Sequence, residues 1–504
     1  MASFNAVKDP SVTEVLIVGA GPTGLTLACD LRRRGIGVQV AERGPALFPG
    51  SRGKGIQPRT LEVLDDLGVA DAALAAGGPY PPMLVRRPGQ PPVEHDLVER
   101  AAPGAGTPYP QPLMLPQWRT QQLLHERLRA LGGEVEFETA LTGLEQDAAG
   151  VTAHLSTGRT VRAAYVVACD GGRSTVRGAL GIAMHGETVD PEPFVVADVR
   201  IAGLERTHWH VWSDEERGML ALCPLAGTDA FQLVARPATL EGAEGTEGTE
   251  GTEDGDNSVR RALGALLAAR TELEAGRLEE VLYSSQFRVN AAMAERFREE
   301  RVFLAGDAAH IHSPAGGQGL NTGVQDAYNL GWKLGLVLRG QAAEGLLDSY
   351  EAERAPLAAG VLGLSTRLHG GAARRGPETH QLELGYPDSP LTRRPAGPAP
   401  GGAAPGDRAP DAHLPAHAPG RVFELLRGPH ATLLAVGGAT PPADLPSYVR
   451  THAIPPADAY AAGGLYLIRP DGYVALATGE ADEVRAYLTG LSRDGGCQPR
   501  VDAA

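Results

Sequence analysis

The chain has 504 residues, a formal net charge of −15 and 42% hydrophobic residues. That length accommodates two or three domains with real cores, and the excess of acid argues against nucleic acid or an anionic membrane as the main partner. No apolar run reaches the ~18 residues of a membrane span, MASFNAVKDPSVTE has no signal-peptide pattern, and Cys29, Cys169, Cys223 and Cys497 form no CxxC. Disulfides and a metal site are therefore not expected, and a reducing cytoplasm fits.

The strongest signal is Val15 to Glu42, VLIVGAGPTGLTLACDLRRRGIGVQVAE. An apolar run (Val15–Val18) leads into Gly19-x-Gly21-Pro22-Thr23-Gly24, then an amphipathic run and a second apolar run that ends in Glu42. The pattern predicts strand, glycine turn, helix, strand and acid. Gly19 permits the turn, Gly21 lets backbone approach a pyrophosphate, and Gly24 lets helix and strand pack closely. The helix start offers free N–H groups and a partial positive charge to phosphates. Glu42, 18 residues after Gly24, stands where a carboxylate accepts from ribose hydroxyls.

Alternating strand and helix patterns continue to about residue 185, with a second strand and turn at Ala164–Asp170. From about 190 to 290, Phe194–Ile201, His208–Trp212 and Phe231–Arg236 read as strands of an antiparallel sheet. Alternation puts His208, His210 and Trp212 on one face and Trp209 on the other. The first three, with Arg217, are the candidate substrate residues. The acidic repeat EGAEGTEGTEGTEDGDN, 241–257, has nothing to bury and reads as a solvated loop.

Next, Val302–Ala305 delivers Gly306-Asp307, followed by Pro314, Gly316, Gly317 and Gly319 and helical patterning to about Leu368. Asp307, at the carboxyl end of a strand, is placed to bond a ligand hydroxyl. Gly316–Gly319 can present bare N–H groups, with a helix start aimed at the same spot. His310 and His312 are candidates to touch a ligand. A stretch dense in Pro, Gly and Ala, 386–410, reads as a linker. Ala431–Val436, Gly464–Arg469 and the turn Pro470-Asp471-Gly472 suggest a small α/β domain after it.

Together these segments resemble the FAD-dependent aromatic hydroxylases, the single-component flavoprotein monooxygenases of the para-hydroxybenzoate hydroxylase type. GAGPTG with Glu42 resembles the family's ADP-binding motif, ACDGGRSTVR (Ala168–Arg177) its DG motif, and LAGDAAH (Leu304–His310) its GD motif. Ser51-Arg52-Gly53, Gly55-x-Gln57-x-Arg59-Thr60, Gln117, Gly316–Leu334 and Ser349–Pro356 are also similar, so the likeness spans roughly residues 12–365. Pro405–Leu414 and Leu465–Leu476 resemble the thioredoxin-like C-terminal domain of the phenol and polyketide hydroxylase branch. Without CxxC, that tail implies a structural or dimer-contact role.

The resemblance implies an α/β fold. A discontinuous Rossmann-like FAD-binding domain covers 1–189 and 287–380, with an antiparallel substrate domain at 190–286 joined by part of 77–103. A linker (381–404) and a thioredoxin-like domain (405–504) follow. It implies FAD contacts at Gly19, Gly21, Pro22, Thr23, Gly24, Glu42, Arg43, Arg52, Gln117, Asp170, Asp307, Pro314, Gly317, Gly319, Leu320 and Asn321. It implies NAD(P)H, NADPH favoured, as co-substrate, with O2 and a small aromatic substrate, in a monomer or homodimer. The implied reaction hydroxylates a phenolic or polycyclic, polyketide-type ring through a flavin C4a-hydroperoxide. The flavin carries that chemistry, so no protein base is required, and Pro314, His310 and His312 are the candidate catalytic neighbours. A Baeyer–Villiger or antibiotic-inactivating monooxygenase shares every motif. A non-catalytic ligand-binding flavoprotein is the reading from another class, and slow, ligand-independent flavin reduction would distinguish it.

Overall fold

The first apolar run becomes the strand Val12–Val18, whose last four residues are buried. Both its faces are covered, as a continuous apolar run requires in a parallel sheet. Thr160–Ala168 and Val38–Ala41 flank it in parallel. Val302–Leu304 and Val135–Glu136 extend the parallel order outward, and Gly150–Leu155 with Leu141–Asp147 branch off as an antiparallel pair. Helices Pro22–Arg33 and Gly319–Leu338 pack together over this sheet. The computed structural model describes residues 11–98, 106–236, 253–369, 376–414 and 420–493.

The second sheet runs His310–Ile311, Leu278–Ala294, Met184–Ile201, Phe231–Arg236, Gly218–Pro224, Trp209–Asp214, Met83–Arg86, Val93–His95. Its neighbours are antiparallel except Trp209–Asp214 beside Met83–Arg86. One face is sealed by helix Glu253–Arg270, whose Leu263 and Leu267 pack on Val195, Ala197, Phe231 and Leu233. Most of the acidic repeat, 241–252, lies outside the described residues. Its last part, Glu253–Asn257, is helical and not a loop. Val259, Leu263 and Leu267 fix the helix against the sheet, and an established helix extends backward at little cost.

The C-terminal sheet has the order Val449–Ile454, Ala431–Val436, Leu465–Ile468, Val474–Thr478. Its first two strands are parallel and the rest antiparallel. With helix Ala481–Arg493 this is the thioredoxin-like arrangement. The stretch read as a linker, 381–404, is packed against the domains it joins. Tyr386 and Leu391 there are buried, and Gln381 Nε2 donates to Gln318 Oε1 at 2.7 Å. Proline and glycine density here marks an irregular packed strap.

The tail is also welded to the first domain. Trp332, Leu336 and Leu346 share one apolar cluster with Leu433, Leu465, Val484 and Leu488. Beside it, buried Glu353 accepts from Lys333 Nζ (2.7 Å), Asn329 Nδ2 (2.7 Å) and Arg469 Nη2 (2.9 Å). Arg469 comes from the tail and also pairs with Asp471. Burial alone would raise the Glu353 carboxyl, but Arg469 and Lys333 overcome it and hold it well below the carboxylate range. Replacing Arg469 with Met leaves Glu353 and Asp471 short of a cation in the interior. Loss of one partner of a buried pair costs ~3–5 kcal/mol, so urea unfolding of Arg469→Met is expected to show a loss of that order. A stability equal to the parent would contradict this account of the seam.

Candidate active site

The glycine turn is built by close contacts. A Cβ on Gly19 (φ +104°) would lie 2.4 Å from the Cys169 carbonyl oxygen, and one on Gly24 2.0 Å from the Gly19 oxygen. Gly21 differs, since a Cβ there would meet nothing within 4 Å. The helix behind it starts at Pro22 with no side-chain cap, so its amide groups face an open side. Glu42 accepts from the Ala20 amide through Oε2 (2.8 Å) and from the Gly44 amide through Oε1 (2.9 Å). Its carboxylate therefore braces the turn, with lone pairs left over for a ligand. Arg43 beside it is exposed. Thr23 packs under the second motif, where a Cβ on Gly306 would come within 2.6 Å of its Oγ1.

Two further strand ends converge here. Asp170 Oδ2 accepts from the amides of Thr175 (2.8 Å) and Val176 (3.2 Å), while Oδ1 is buried without a protein partner. Arg177 donates to the carbonyls of Gly172 and Ala308, which ties this turn to the Asp307 loop. The Asp307 side chain is exposed, yet protein surrounds it closely enough for desolvation to raise its carboxyl, against the opposing pull of His310 and Arg52. It therefore lies at the floor of a cleft. Arg52 Nε donates to Tyr283 Oη at 3.0 Å, and its guanidinium sits 5.1 Å over the Phe48 ring.

The cleft continues along the glycine loop. Gly316 and Gly317 have φ of +82° and +63°. A Cβ on Gly317 or Gly319 would meet nothing closer than 3.8 or 3.9 Å. Helix Gly319–Leu338 begins without a side-chain cap, and Pro314 is exposed at the loop's start. Gln117 Oε1 accepts from the Gly53 amide at 3.1 Å. A Cβ on Gly53 would sit 3.3 Å from Leu320 Cδ1, so these three residues meet. The Asn321 side chain has its partners within the protein. It is fully buried, accepts from the Gln57 amide (2.8 Å) and donates to the carbonyls of Gly55 (2.8 Å) and Gly317 (2.7 Å). Those bonds satisfy its buried polar atoms and staple two loops together.

His310 also has its partner within the protein. It is completely buried, with Nε2 2.6 Å from Asp326 Oδ2. Asp326 also accepts from the Gly306 amide (3.0 Å) and from Arg354 Nε (2.6 Å). Burial would raise its carboxyl, but the His310 and Arg354 charges and hydrogen bonds bring it down to about 2. His310 thus holds the Asp307 loop in place and does not face the cleft. His312 Nε2 lies 2.9 Å from His310 Nδ1, and its Nδ1 is buried without a partner. Burial, aided by His310, lowers its pKa to about 3, so it is neutral at ordinary pH. Sequence reasoning missed Asp326 and Arg354. Their signal was present in GVQDAYN and SYEAERAP, as charged residues inside long helical runs.

On the substrate sheet the alternation is as expected, with His210 and Trp212 on one face and Trp209 and Val211 on the other. Trp212 belongs to the core under helix Glu253–Arg270 and donates to Glu272 Oε2 at 2.6 Å. His210 is buried, stacked on Trp212 at 5.8 Å, with burial lowering its pKa. His208 lies between Glu94 (2.9 Å) and Glu205 (2.7 Å), and Arg217 is exposed at a hairpin near Asp214. The other face turns toward the Ser51–Lys54 loop. Lys54 Nζ sits 4.4 Å over the Trp209 ring. Gln232 accepts from Lys54 and donates to the Ser51 carbonyl. Behind Trp209 are Met83, Val85, Val211, Met219 and Ala221, an apolar cluster separate from the helix-side core.

A parallel sheet with a glycine turn for a dinucleotide, a second strand end carrying an acid beside a glycine loop, and a sheet with an apolar face against the Ser51–Lys54 loop define a nucleotide-dependent enzyme with a separate substrate domain. Family models agree, matching residues 12–365 to an FAD binding domain and 402–493 to an aromatic-ring hydroxylase C-terminal domain. A flavin-dependent monooxygenase of Mycobacteroides abscessus is 43% identical over 492 residues, covering 94% of this chain and 99% of its own. A rifampicin monooxygenase of Streptomyces venezuelae is 38% identical over 69% of each chain. Among solved structures, an anhydrotetracycline hydroxylase from Streptomyces rimosus matches with TM-score 0.70 and 31% identity, covering 95% of this chain and 99% of that one. An aklavinone-11 hydroxylase solved with FAD and aklavinone matches with TM-score 0.75 and 30% identity, covering 96% and 99%. The chain belongs to the FAD-dependent aromatic monooxygenases.

The Asp326 geometry has a pH signature. A carboxyl lowered to about 2 in the fold, against ~3.9 unfolded, contributes stability that is full above the unfolded value and lost as pH falls toward the folded one. Asp326→Asn is expected to lose ~2 kcal/mol or more at pH 7, with the gap to the parent closing between pH 4 and 2. Urea unfolding across that range checks it, and a gap that does not vary with pH would contradict it.

Proposed function

We propose that the protein is an NAD(P)H-consuming FAD monooxygenase that hydroxylates a phenolic or polycyclic aromatic ring. The observation that carries this reading is the apolar face of Trp209, Val211, Met219 and Ala221, turned toward the loop that borders Asp307. A flat apolar floor beside the flavin site suits a fused aromatic ring system. Solved relatives named for anhydrotetracycline and aklavinone hydroxylation support the polyketide class. The residues present fit FAD. The open side at Gly21 accommodates a pyrophosphate on the helix start, and the spare lone pairs of Glu42, beside Arg43, suit ribose hydroxyls. The exposed Asp307 suits a hydroxyl of the ribityl chain, and the unpartnered Asp170 Oδ1 is a further acceptor.

When bound and reduced by a nicotinamide, FAD supplies the electrons that activate O2. The protein's part is to bind, orient and exclude water. The amides of Gly319 and Leu320, at the positive end of an uncapped helix, would stabilise negative charge on a reduced ring. Gln117 and Gly53 fix the adjacent wall. The sheet face holds the aromatic ring, with Trp209 as its largest contact. NADPH is the favoured reductant. No second glycine turn with an acid appears in the sequence, which fits a nicotinamide that visits and leaves. The similarity to rifampicin monooxygenase keeps an antibiotic-inactivating or Baeyer–Villiger outcome as the second reading, distinguished by product mass and ring connectivity.

Screening phenols and polyketide aromatics for ligand-stimulated NADPH oxidation, with products identified by mass, tests the activity. The expected result is slow oxidation alone, a large acceleration by a substrate, and a product heavier by one oxygen. Oxidation that no aromatic accelerates, with no oxygenated product, would overturn the reading. Asp307→Ala is expected to weaken FAD binding by ~1.5–3 kcal/mol, the value of a charge-assisted hydrogen bond. Unchanged flavin retention would remove Asp307 from the site. Trp209→Ala is expected to raise KM for the substrate severalfold and His208→Ala to leave it alone. The reverse pattern would restore the other sheet face.

A further inference from the structure

The loop from Ser51 to Lys54 lies between the proposed flavin site and the substrate sheet. Its far side carries Arg52, whose charge acts on Asp307, and Gly53, which bonds Gln117. Its near side rests on three strands. Tyr283 meets Arg52, Gln232 meets Ser51 and Lys54, and Asp198 stands between those two in register.

Asp198 is the anomaly of this contact. It is 2% exposed, both its carboxyl oxygens are shut off from solvent, and neither has a hydrogen-bond partner. The hydroxyl of Ser51 is buried and unpartnered as well. Burial pushes the Asp198 carboxyl up to about 6. The hydroxyl and amide of Ser51 and the charge of Lys54 pull it down, so these groups are close without meeting hydrogen-bond geometry. The neighbours on the two adjacent strands, Gln232 and Tyr283, are neutral. Lys54 is therefore the cation whose charge bears on Asp198. A buried acid left unsatisfied beside an unsatisfied hydroxyl is a costly arrangement. A small loop shift would satisfy both.

We propose that Asp198 is a positioning residue that sets the Ser51–Lys54 loop in one of two seats. As a neutral acid it leaves the loop resting on Gln232. As a carboxylate it draws the Ser51 hydroxyl and Lys54 into charge-assisted hydrogen bonds. Because Arg52 and Gly53 travel with the loop, the seat changes the wall of the flavin site, an inference that rests on the flavin site proposed above. The proton leaves to or arrives from solvent, and no bond between heavy atoms changes.

The test uses the flavin-loaded protein and the emission of Trp209, which Lys54 covers, taken as the difference between the parent and Trp209→Phe. The parent is expected to show a single step centred near pH 6, and Asp198→Asn to be flat from pH 5 to 8. Ser51→Ala keeps the acid but removes a donor, and its step is expected to move to higher pH. The dissociation constant of FAD is read over the same range, with a severalfold change in the parent and none in Asp198→Asn. A step that persists unchanged in Asp198→Asn, a midpoint unmoved in Ser51→Ala, or coincident FAD profiles would each overturn the proposal. Product formation is measured apart from these titrations. A failed substrate screen would bear on the proposed activity alone, and failed titrations on Asp198 alone.

Discussion

Asp326 is a carboxylate without access to water, on a helix whose start points into the active cleft. It survives as an ion because Arg354, His310 and the Gly306 amide surround it. Those three partners come from the second long helix, the strand after the Asp307 loop, and that loop itself. One buried charge therefore fixes the mutual position of the strand end and the glycine loop. Glu353, on the same second helix as Arg354, repeats the device with Lys333 and the tail's Arg469. A continuous buried polar seam thus runs from the C-terminal domain to the floor of the site. Buried pairs are weak evidence for net stability but strongly resist loss of one partner. The expected consequence is a tail that behaves as part of the flavin domain's structure.

The catalytic arrangement follows from this frame. The long helix presents bare amides to the cleft because Asn321 and Gln318 are occupied with loop backbone. The substrate sheet has one face sealed by helix Glu253–Arg270 and one facing the Ser51–Lys54 loop. The loop between them bonds to both sides, so any change in its seat is felt by both.

Much of the fold was legible in the sequence because its signals are local. The Val15–Glu42 unit, the strand into Gly306-Asp307 and the strands Phe231–Arg236 and Ala431–Val436 follow from apolar runs bounded by glycine. Three things were not legible. Alternation placed His210 and Trp212 together correctly, but which face a helix would cover depends on Leu263 and Leu267, more than forty residues away in the chain. The strap at 381–404 has a linker's composition, and its order comes from partners such as Gln318 that composition does not reveal. His310 beside an acid loop looks like a ligand contact until Asp326 is seen to claim it. In each case a long-range partner decided the role of a locally ambiguous residue.

On the proposed reading, the flavin cleft and the Trp209 face of the sheet form one site across the Ser51–Lys54 loop. A crystal structure of the protein with FAD and a polycyclic aromatic ligand tests it most directly. The ligand rings are expected on Trp209, Val211 and Ala221, with the flavin between Gly317 and Asp307. A ligand bound against His210 and Trp212, on the side of helix Glu253–Arg270, would contradict it.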